Sequence, residues 1–186
     1  MKKEIRILGI DDGPFNKFKK GKVLVVGTVF RGGSFCDGIL STKVTIDGAD
    51  ATKKIIKLVN KTKHKPQLQY IIFDGIALGG FNVINIEELY KKTKLPIIVV
   101  IRRMPDIKKI TDTLKKINME SKIELIKKAG KIYHVNNIYV QLKGLDVKEA
   151  KDVLKISCTR SLLPEPIRVA HLIASGIVTG ESKGSA

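Results

Sequence analysis

Apolar and polar positions along the chain follow two alternating patterns. Short β-branched runs bounded by glycine indicate buried strands, whereas apolar residues three and four apart indicate helices. In the first half these patterns predict strands over 3–11, 22–30, 35–46 and up to Asp74, a helix that opens within 47–52 and ends near 61, and a helix over 86–92. The pair Gly32-Gly33 supplies the positive φ of a tight turn, so the second and third strands are predicted to form an antiparallel hairpin.

The second half of the chain continues with one more buried strand and then becomes mainly helical. We predict a strand over 95–101, two short helices between Pro105 and Gly130, a hairpin over 131–142, and helices over 146–156 and 167–178. This order is that of an α/β domain whose mixed sheet begins as an antiparallel meander and continues with parallel strands. Because no linker interrupts it, we expect a single domain over residues 1–179 and a flexible polar tail over 180–186.

The charge balance points to an acidic partner. Lys and Arg number 35 against 18 Asp and Glu, a net charge of +17, which favours nucleic acid first and an anionic membrane surface second. Lysine runs on helix faces are also common as solvated surface and in thermally adapted proteins. A hydrophobic content of 43% excludes a disordered chain, so the charge belongs to a folded protein.

Neither the apolar runs nor the cysteines predict a membrane or secreted protein. No apolar run approaches the roughly 18 residues that a membrane span requires, and the first residues are too polar for a signal peptide. Cys36 and Cys158 lie far apart, with no His or Cys at zinc spacing beside them. A reduced, cytoplasmic protein is therefore the simpler interpretation, although a disulfide stays open.

Two acids end predicted core strands. Asp11 follows the apolar run 5–10 and Asp74 follows 70–73, each just before a glycine-containing turn. A carboxylate at the end of a buried strand is unfavourable to desolvate unless a partner compensates its charge. Mg²⁺ is held by one or two carboxylates together with waters and substrate phosphates. Each Asp alone is more simply a cap of the following turn, but the two together, in a basic chain, favour a metal site.

This order of elements, with acids at the ends of the first and fourth strands, is that of ribonuclease H-like domains. Those two strands are neighbours in that arrangement, so Asp11 and Asp74 are expected to converge. The chain resembles endonuclease V and, more closely, the archaeal endonuclease dU family related to it. The resemblance rests on the stretches 8–13, 47–52, 73–82, 96–100 and 164–174, which read LGIDDG, DGADAT, FDGIALGGFN, PIIVV and PEPIRVAHLIA.

The resemblance implies an endonuclease V-like mixed sheet flanked by helices. It also implies an endonuclease that uses a divalent metal, Mg²⁺ or alternatively Mn²⁺, to nick nucleic acid at a modified base. DNA is favoured over RNA, and deoxyuridine, or else hypoxanthine, is the expected base, which would place the activity in DNA repair. By position in the family pattern, Asp11, Asp50 and Asp74 would be the catalytic and metal-binding acids, with Asp47 as the rival of Asp50. Arg102 stands where endonuclease V has a lysine.

The fourth position of the family's site, near the last helix, has no clean match. Glu165 and His171 are the two candidates for it, and Glu165 is taken as the catalytic acid. Arg168 lies one helical turn from each of them, so the three are able to line one side of the helix, with Arg168 and His171 toward substrate. The tyrosine wedge that endonuclease V inserts beside the lesion has no obvious counterpart in this sequence.

Further substrate contacts follow from residue type and position. Lys17, Lys19 and Lys20 follow the first strand and form a natural clamp for a nucleic-acid backbone. Asn82, in the glycine-rich loop after Asp74, is able to read a base edge, although an ordinary strand-to-helix turn explains it equally well. Arg102 is predicted to hold a phosphate oxygen, or alternatively to pair with Asp106. Base stacking rests on few aromatic side chains, namely Phe15, Phe18, Phe81 and Tyr133.

Two other classes of function stay open at this point. A nucleic-acid-binding protein without efficient cleavage, directed for example to structured RNA, would fit the missing fourth acid and wedge. An enzyme acting on a nucleotide or another phosphorylated small molecule is the third hypothesis, but no Walker or Rossmann glycine pattern supports it. The oligomeric state is not predicted.

Overall fold

A computed structural model describes residues 3–182 of the chain. The predicted elements are present, with some bounds shifted by one to three residues. The strands are β1 Arg6–Asp12, β2 Lys22–Arg31, β3 Phe35–Thr45, β4 Tyr70–Asp74, β5 Ala77–Leu78, β6 Asn82–Val83, β7 Ile97–Ile101, β8 Tyr133–Val135 and β9 Ile138–Lys143. The helices are α1 Ala51–Lys61, α2 Ile86–Thr93, α3 Ile107–Lys116, α4 Ser121–Lys128, α5 Val147–Ser157 and α6 Glu165–Thr179.

Within residues 3–182, seven strands form a mixed sheet in the order β3-β2-β1-β4-β7-β9-β8. The first three strands form the predicted antiparallel meander, and the turn at Gly32 has the positive φ, 54°, that the Gly-Gly pair indicated. β1 pairs in parallel with β4, and β4 with β7, whereas β9 runs antiparallel to both of its neighbours. The prediction that strands one and four are neighbours is therefore confirmed.

Successive residues of the central strands point to opposite faces of the sheet, and each face is covered by helices. Leu8 and Phe73 pack in one apolar core with residues of α1 and α2. Ile7 and Ile72 pack in a second core with residues of α5 and α6. The sheet is thus the middle of three layers, as expected for strands that are apolar on both faces.

Helix α6 crosses β1 at very short range, and Gly9 permits this. A Cβ atom at position 9 would lie 2.3 Å from the backbone carbonyl carbon of Pro166, closer than any side chain tolerates. The hydroxyl of Thr28, on β2, donates a hydrogen bond to the Pro166 carbonyl over 2.6 Å. These contacts hold the first turn of α6 against the middle of β1, so the next turns of the helix pass over the carboxyl end of that strand.

Some details differ from the sequence expectations. The glycine-rich loop after Asp74 contains the two-residue hairpin β5–β6, which is too short to produce a periodic pattern. Helix α6 starts at Glu165, two residues before the predicted start, because Pro166 occupies the first turn, where its missing N–H has no partner to lose. The helix ends at Gly180 in a left-handed conformation, and residues 183–186 of the predicted tail lie outside the described residues. No helix between residues 3 and 182 has the length and hydrophobicity needed to span a bilayer.

Candidate active site at the carboxyl ends of the central strands

Asp11 and Asp74 lie side by side at the carboxyl ends of β1 and β4. The parallel register pairs Ile10 with Phe73, so the next residue on each strand is one of the two acids. By strand alternation, both carboxylates lie on the face of the sheet that α5 and α6 cover. This register places the two acids next to each other, as the sequence led us to expect.

Asp11 is a buried acid with other acids around it. It is only 5% exposed, and its Oδ1 accepts a hydrogen bond of 2.8 Å from the backbone N–H of Asp12. Burial, followed by the negative charges of Asp74 and Asp12, raises the pKa of Asp11 to about 8, against the smaller opposing effects of the Asp12 N–H and of Arg102. A carboxyl in this setting gains most from an added positive charge, because a cation would relieve both repulsions.

Asp74 already has a cation beside it. Arg102, which follows β7, contacts Asp74 Oδ2 through Nη2. The alternative pair of Arg102 with Asp106 is absent within residues 3–182, since the Asp106 side chain instead accepts a hydrogen bond from the Lys109 N–H and caps α3. The Arg102 side chain is 42% exposed and that of Asp74 is 15% exposed, so this ion pair faces solvent on one side and is accessible to an incoming ligand.

His171 approaches the same carboxylates from α6. Its Nδ1 lies 2.9 Å from Asp11 Oδ2, and its side chain is 29% exposed. No other hydrogen bond to the His171 ring is present among the described residues, so Nε2 is open to a further partner. Of the two candidates for the fourth position, His171 is thus the one that reaches Asp11. Sequence spacing alone did not distinguish it, because its approach depends on the close crossing of α6 over β1.

The other candidate, Glu165, lies at the opposite end of α6. Its Oε2 accepts two hydrogen bonds from Arg168, of 3.0 Å from Nε and 2.6 Å from Nη2. Six residues separate Glu165 from His171, which is about 9 Å along a helix. Glu165 is therefore engaged by Arg168 one helical turn away, and no contact of either residue with Asp11 is present among the described residues.

Asp50 and Asn82 form a separate cluster on the other side of the glycine-rich loop. Asp50 Oδ1 accepts hydrogen bonds from the Thr45 N–H (3.0 Å) and from Asn82 Nδ2 (2.7 Å), and Oδ2 accepts one from Thr45 Oγ1 (3.0 Å). Burial opposes ionisation of Asp50, but these hydrogen bonds outweigh it and hold its pKa below the ordinary value. Within residues 3–182 no group of three or more His, Cys, Asp or Glu side chains is arranged to hold a metal, so the predicted triad of acids is not assembled.

Asn82 is fully buried and its amide is already in use. Its Nδ2 also donates to the Thr45 carbonyl over 2.9 Å, and its Oδ1 accepts from the Ala51 N–H over 3.0 Å, at the start of α1. An amide with both ends bonded inside the protein has nothing left to read a base edge. The structure therefore shows Asn82 as part of an ordinary turn and not as a residue free to recognise a base.

Two residues of this region, Asp12 and Lys122, make contacts that the sequence did not predict. Asp12 points to the other face of the sheet from Asp11 and accepts a 2.8 Å hydrogen bond from the Gly79 N–H, which ties the glycine-rich loop to β1. Lys122 is 7% exposed, and its Nζ donates to the Gly48 carbonyl. Burial lowers the pKa of Lys122, while Asp47 and Asp50 oppose this. Nothing in the sequence separates Lys122 from the exposed lysines of the same helix.

The loop between β1 and β2 carries the three predicted clamp lysines on the surface. Lys17, Lys19 and Lys20 are all exposed, and the Phe18 ring between them is 87% exposed. Lys17 Nζ lies 5.2 Å from the centre of that ring. The Asn16 side chain accepts a 2.9 Å hydrogen bond from the Phe18 N–H and so fixes the turn that presents the ring. The loop directly follows the strand that carries Asp11.

Comparisons with known proteins agree with this architecture. The family model for endonuclease dU matches residues 3–178. A UPF0215 protein of the archaeon Methanothermobacter thermautotrophicus is 48% identical over 191 aligned residues, which cover 100% of this chain and 94% of the relative. These matches extend over both acids, the glycine-rich loop and α6.

Solved structures show the same fold. A protein of unknown function from Archaeoglobus fulgidus has a TM-score of 0.88 and 40% identity, with 94% of this chain and 99% of that chain covered. Endonuclease V of Ciona intestinalis, solved in complex with a 24mer DNA containing an inosine followed by a ribo-adenosine, has a TM-score of 0.54 and 16% identity, with 89% and 82% covered. The chain therefore belongs to the endonuclease dU family, and its mixed sheet with flanking helices is the endonuclease V-like, ribonuclease H-like fold.

Proposed function

We propose that this protein is a divalent-metal-dependent endonuclease that nicks nucleic acid at a modified base, with deoxyuridine in DNA as the first substrate to test and hypoxanthine as the second. The observation that carries the proposal is the pair Asp11 and Asp74, two adjoining carboxylates of which one is buried with a pKa of about 8. The family gives a nuclease-type function, and the related fold of an endonuclease V solved with DNA supports nucleic acid as the partner.

The donor set fits Mg²⁺ or Mn²⁺. Asp11 and Asp74 offer carboxylate oxygens, the ligands that these hard cations prefer, and one or two carboxylates suffice when waters and substrate phosphates complete the coordination. When bound, the metal supplies an activated water and stabilises negative charge on the attacking and leaving oxygens. Asp50 is not included in this proposal, because both of its oxygens are held by Thr45 and Asn82.

The remaining side chains have roles that follow from their positions. His171 holds Asp11 through Nδ1 and presents Nε2, where a proton is able to be held or released. Arg102 is able to leave Asp74 and bind a phosphate oxygen of the substrate, because its guanidinium group matches the geometry of a phosphate as well as that of a carboxylate. Lys17, Lys19 and Lys20 contact backbone phosphates, and the exposed Phe18 ring between them stacks on a base.

A nicking assay tests the proposal. Oligonucleotide duplexes with a single uracil, a single hypoxanthine or no modified base are incubated with Mg²⁺, with Mn²⁺ or with a chelator. We expect cleavage of the uracil duplex that requires the metal and exceeds cleavage of the unmodified duplex. Asp11→Asn, purified in the same way, controls for contaminating nucleases and should be inactive. Equal cleavage of all three duplexes would refute the base specificity, and no cleavage with either metal would refute the nuclease itself.

A second function, nucleic-acid binding without turnover, is favoured by one specific contact. Arg102 pairs with Asp74 within the protein, so the charge of that one carboxylate is compensated without a metal. The same assay separates the two functions when binding is measured in parallel. Tight, salt-sensitive binding by a protein that never nicks would establish the second function in place of the first.

A further inference from the structure

A groove with several charged residues in its lining lies at the other end of α6, away from the candidate active site. It runs between the β2–β3 turn and the loop that leads into α6. One part is a cavity of about 470 Å³ lined by Ser34, Thr159, Arg160, Glu165 and Arg168. It adjoins a second cavity of about 500 Å³, which shares Ser34 and Thr159 and adds Lys3, Lys155 and the acid Asp152. Each volume lies within the range that small organic ligands occupy.

Two arginines of the groove have unused hydrogen-bonding capacity. Arg168 is fixed by Glu165, which accepts from its Nε and Nη2 and leaves Nη1 without an acceptor among the described residues. Arg160 is exposed and forms no ion pair within residues 3–182. A rigid guanidinium beside a free one is a donor arrangement that recognises a phosphate group. The Ser34 and Thr159 hydroxyls already donate to the backbone carbonyls of Arg31 and Gly33.

The carboxylate behind Arg168 is also incompletely satisfied. Glu165 is 4% exposed, and its Oε1 is buried with no hydrogen-bond partner. Buried polar atoms are nearly always bonded, so an orphaned oxygen on a residue that lines a cavity points to a missing partner. A ligand for this groove therefore combines acceptors for the arginines with an N–H or O–H donor for Glu165. A nucleotide unit, with its phosphate and its base or sugar donors, has both.

We propose that this groove is a second nucleotide-binding site, in which Arg160 and Arg168 hold the phosphate and Glu165 accepts a hydrogen bond from the base or sugar. The nucleotide unit belongs either to a nucleic-acid strand or to a free mononucleotide. If the proposed function holds, the nucleotide unit belongs to a nucleic-acid strand; the choice of a strand over a free mononucleotide rests on that proposed function.

The groove lies along β1 from the two acids. Phe30, which lines the groove, is paired with Ile7, four residues before Asp11, so the groove lies about 13 Å from the acids along β1. At about 3.4 Å per nucleotide, this corresponds to about four nucleotides from the cleavage position.

Binding measurements on the full chain test the proposal. Arg160→Ala and Ser34→Asp change exposed groove residues, and Lys92→Ala removes an equally exposed charge at the end of α2 as the matched control. Fluorescence anisotropy gives the affinity for uracil-containing duplexes that extend two, four or eight base pairs on either side of the uracil. We expect Arg160→Ala to weaken binding of the longest duplex about tenfold and to reduce the salt slope by about one, with little effect on the shortest. Ser34→Asp should likewise weaken binding of the longest duplex, whereas Lys92→Ala should leave it unchanged.

In a second arm of the experiment, calorimetry measures the binding of deoxynucleoside 5′-monophosphates and of inorganic phosphate to the same proteins. Two results together would support the site with a free nucleotide as its ligand. A mononucleotide binds the wild type but not Arg160→Ala, and the effect of Arg160→Ala on duplex affinity does not depend on duplex length. The proposal is overturned if Arg160→Ala and Lys92→Ala behave alike in both arms. Because neither arm requires cleavage, a protein that binds in this way but never nicks would refute the proposed function and leave this site standing.

Discussion

Asp11 is a buried carboxyl, and its burial, followed by the negative charges of Asp74 and Asp12, raises its pKa to about 8, against a smaller lowering effect of the Arg102 charge. His171 contacts Asp11 directly, and Arg102 forms an ion pair with Asp74. At the scale of single residues, the site is therefore a pair of acids held by two basic side chains from α6 and from the end of β7. Such an arrangement is unfavourable for stability alone and is typical of functional sites.

The role of His171 is tested by His171→Gln. Glutamine is able to donate a hydrogen bond to Asp11 but is not an acid–base catalyst, so orientation is retained and proton transfer is lost. We expect the single-turnover cleavage rate to fall about a hundredfold, with substrate affinity unchanged. His134→Gln, at the exposed position of strand β8, is the matched control and should cut at the normal rate. Cleavage by His171→Gln within twofold of wild type would make His171 a structural residue only.

Neighbouring strand ends could be predicted from the sequence, but contacts made across helices and loops could not. The meeting of Asp11 and Asp74 follows from strand order, because apolar runs and turns identify β1 and β4 and parallel neighbours end at the same edge. His171 reaches Asp11 only because Gly9 lets α6 lie directly on β1, a packing detail that helical spacing does not contain. By residue type and position in the sequence, Asn82 and Glu165 are suited to bind substrate or take part in catalysis. In the fold, however, Asn82 is hydrogen-bonded to Asp50 and Glu165 to Arg168. Such partners become known only from the fold.

At the scale of elements, Asp37 joins the first three strands. Its carboxylate on β3 lies 2.9 Å from Arg6 Nε of β1 and 2.9 Å from Arg31 Nη2 of β2, and the Asp37 side chain is 13% exposed. The hydrogen-bonding guanidinium of Arg31, followed by the charge of Arg6, holds the pKa of Asp37 below its ordinary value, against a desolvation effect that would raise it. This cluster fixes the amino-terminal end of β1, opposite the candidate active site.

The pH dependence of stability follows from the sign of that shift. Because the pKa of Asp37 is lower in the folded state, its ion pairs stabilise the protein above the unfolded pKa of about 3.9, and this contribution is lost as the pH falls through the folded pKa. Asp37→Asn should reduce the free energy of unfolding at pH 7 by about 1 kcal/mol. The difference from wild type should shrink as the pH falls from the unfolded pKa through the lowered folded pKa of Asp37, and should vanish below the latter. Denaturant unfolding across this range checks it, with the exposed Asp112→Asn as control. A difference that is constant with pH would show that lost packing, rather than lost charge, is responsible.

At the scale of the whole molecule, the net charge of +17 is the dominant property. If it serves nucleic-acid binding, affinity must fall steeply with salt, because each neutralised phosphate releases counterions. A protein that contacts four phosphates loses about a hundredfold in affinity between 50 and 200 mM salt. We expect at least this loss for a duplex substrate. The triple variant Lys17→Gln, Lys19→Gln, Lys20→Gln should have a smaller salt slope than wild type, and Lys91→Gln with Lys92→Gln serves as the control. An affinity that does not respond to salt would assign the charge to solubility or thermal adaptation.

The central claim is that Asp74 and Asp11 hold the metal that supports phosphodiester cleavage. Its most direct test is to measure single-turnover cleavage and equilibrium binding for Asp74→Asn on the same uracil-containing duplex. Asparagine keeps the shape of the side chain but lacks the charge that holds Mg²⁺, and its loss removes a repulsion against phosphates. We predict that metal-dependent cleavage is abolished while affinity is unchanged or slightly higher and the fold is intact. Cleavage by a normally folded Asp74→Asn at the wild-type rate would show that Asp74 is only the structural partner of Arg102, and would contradict the account.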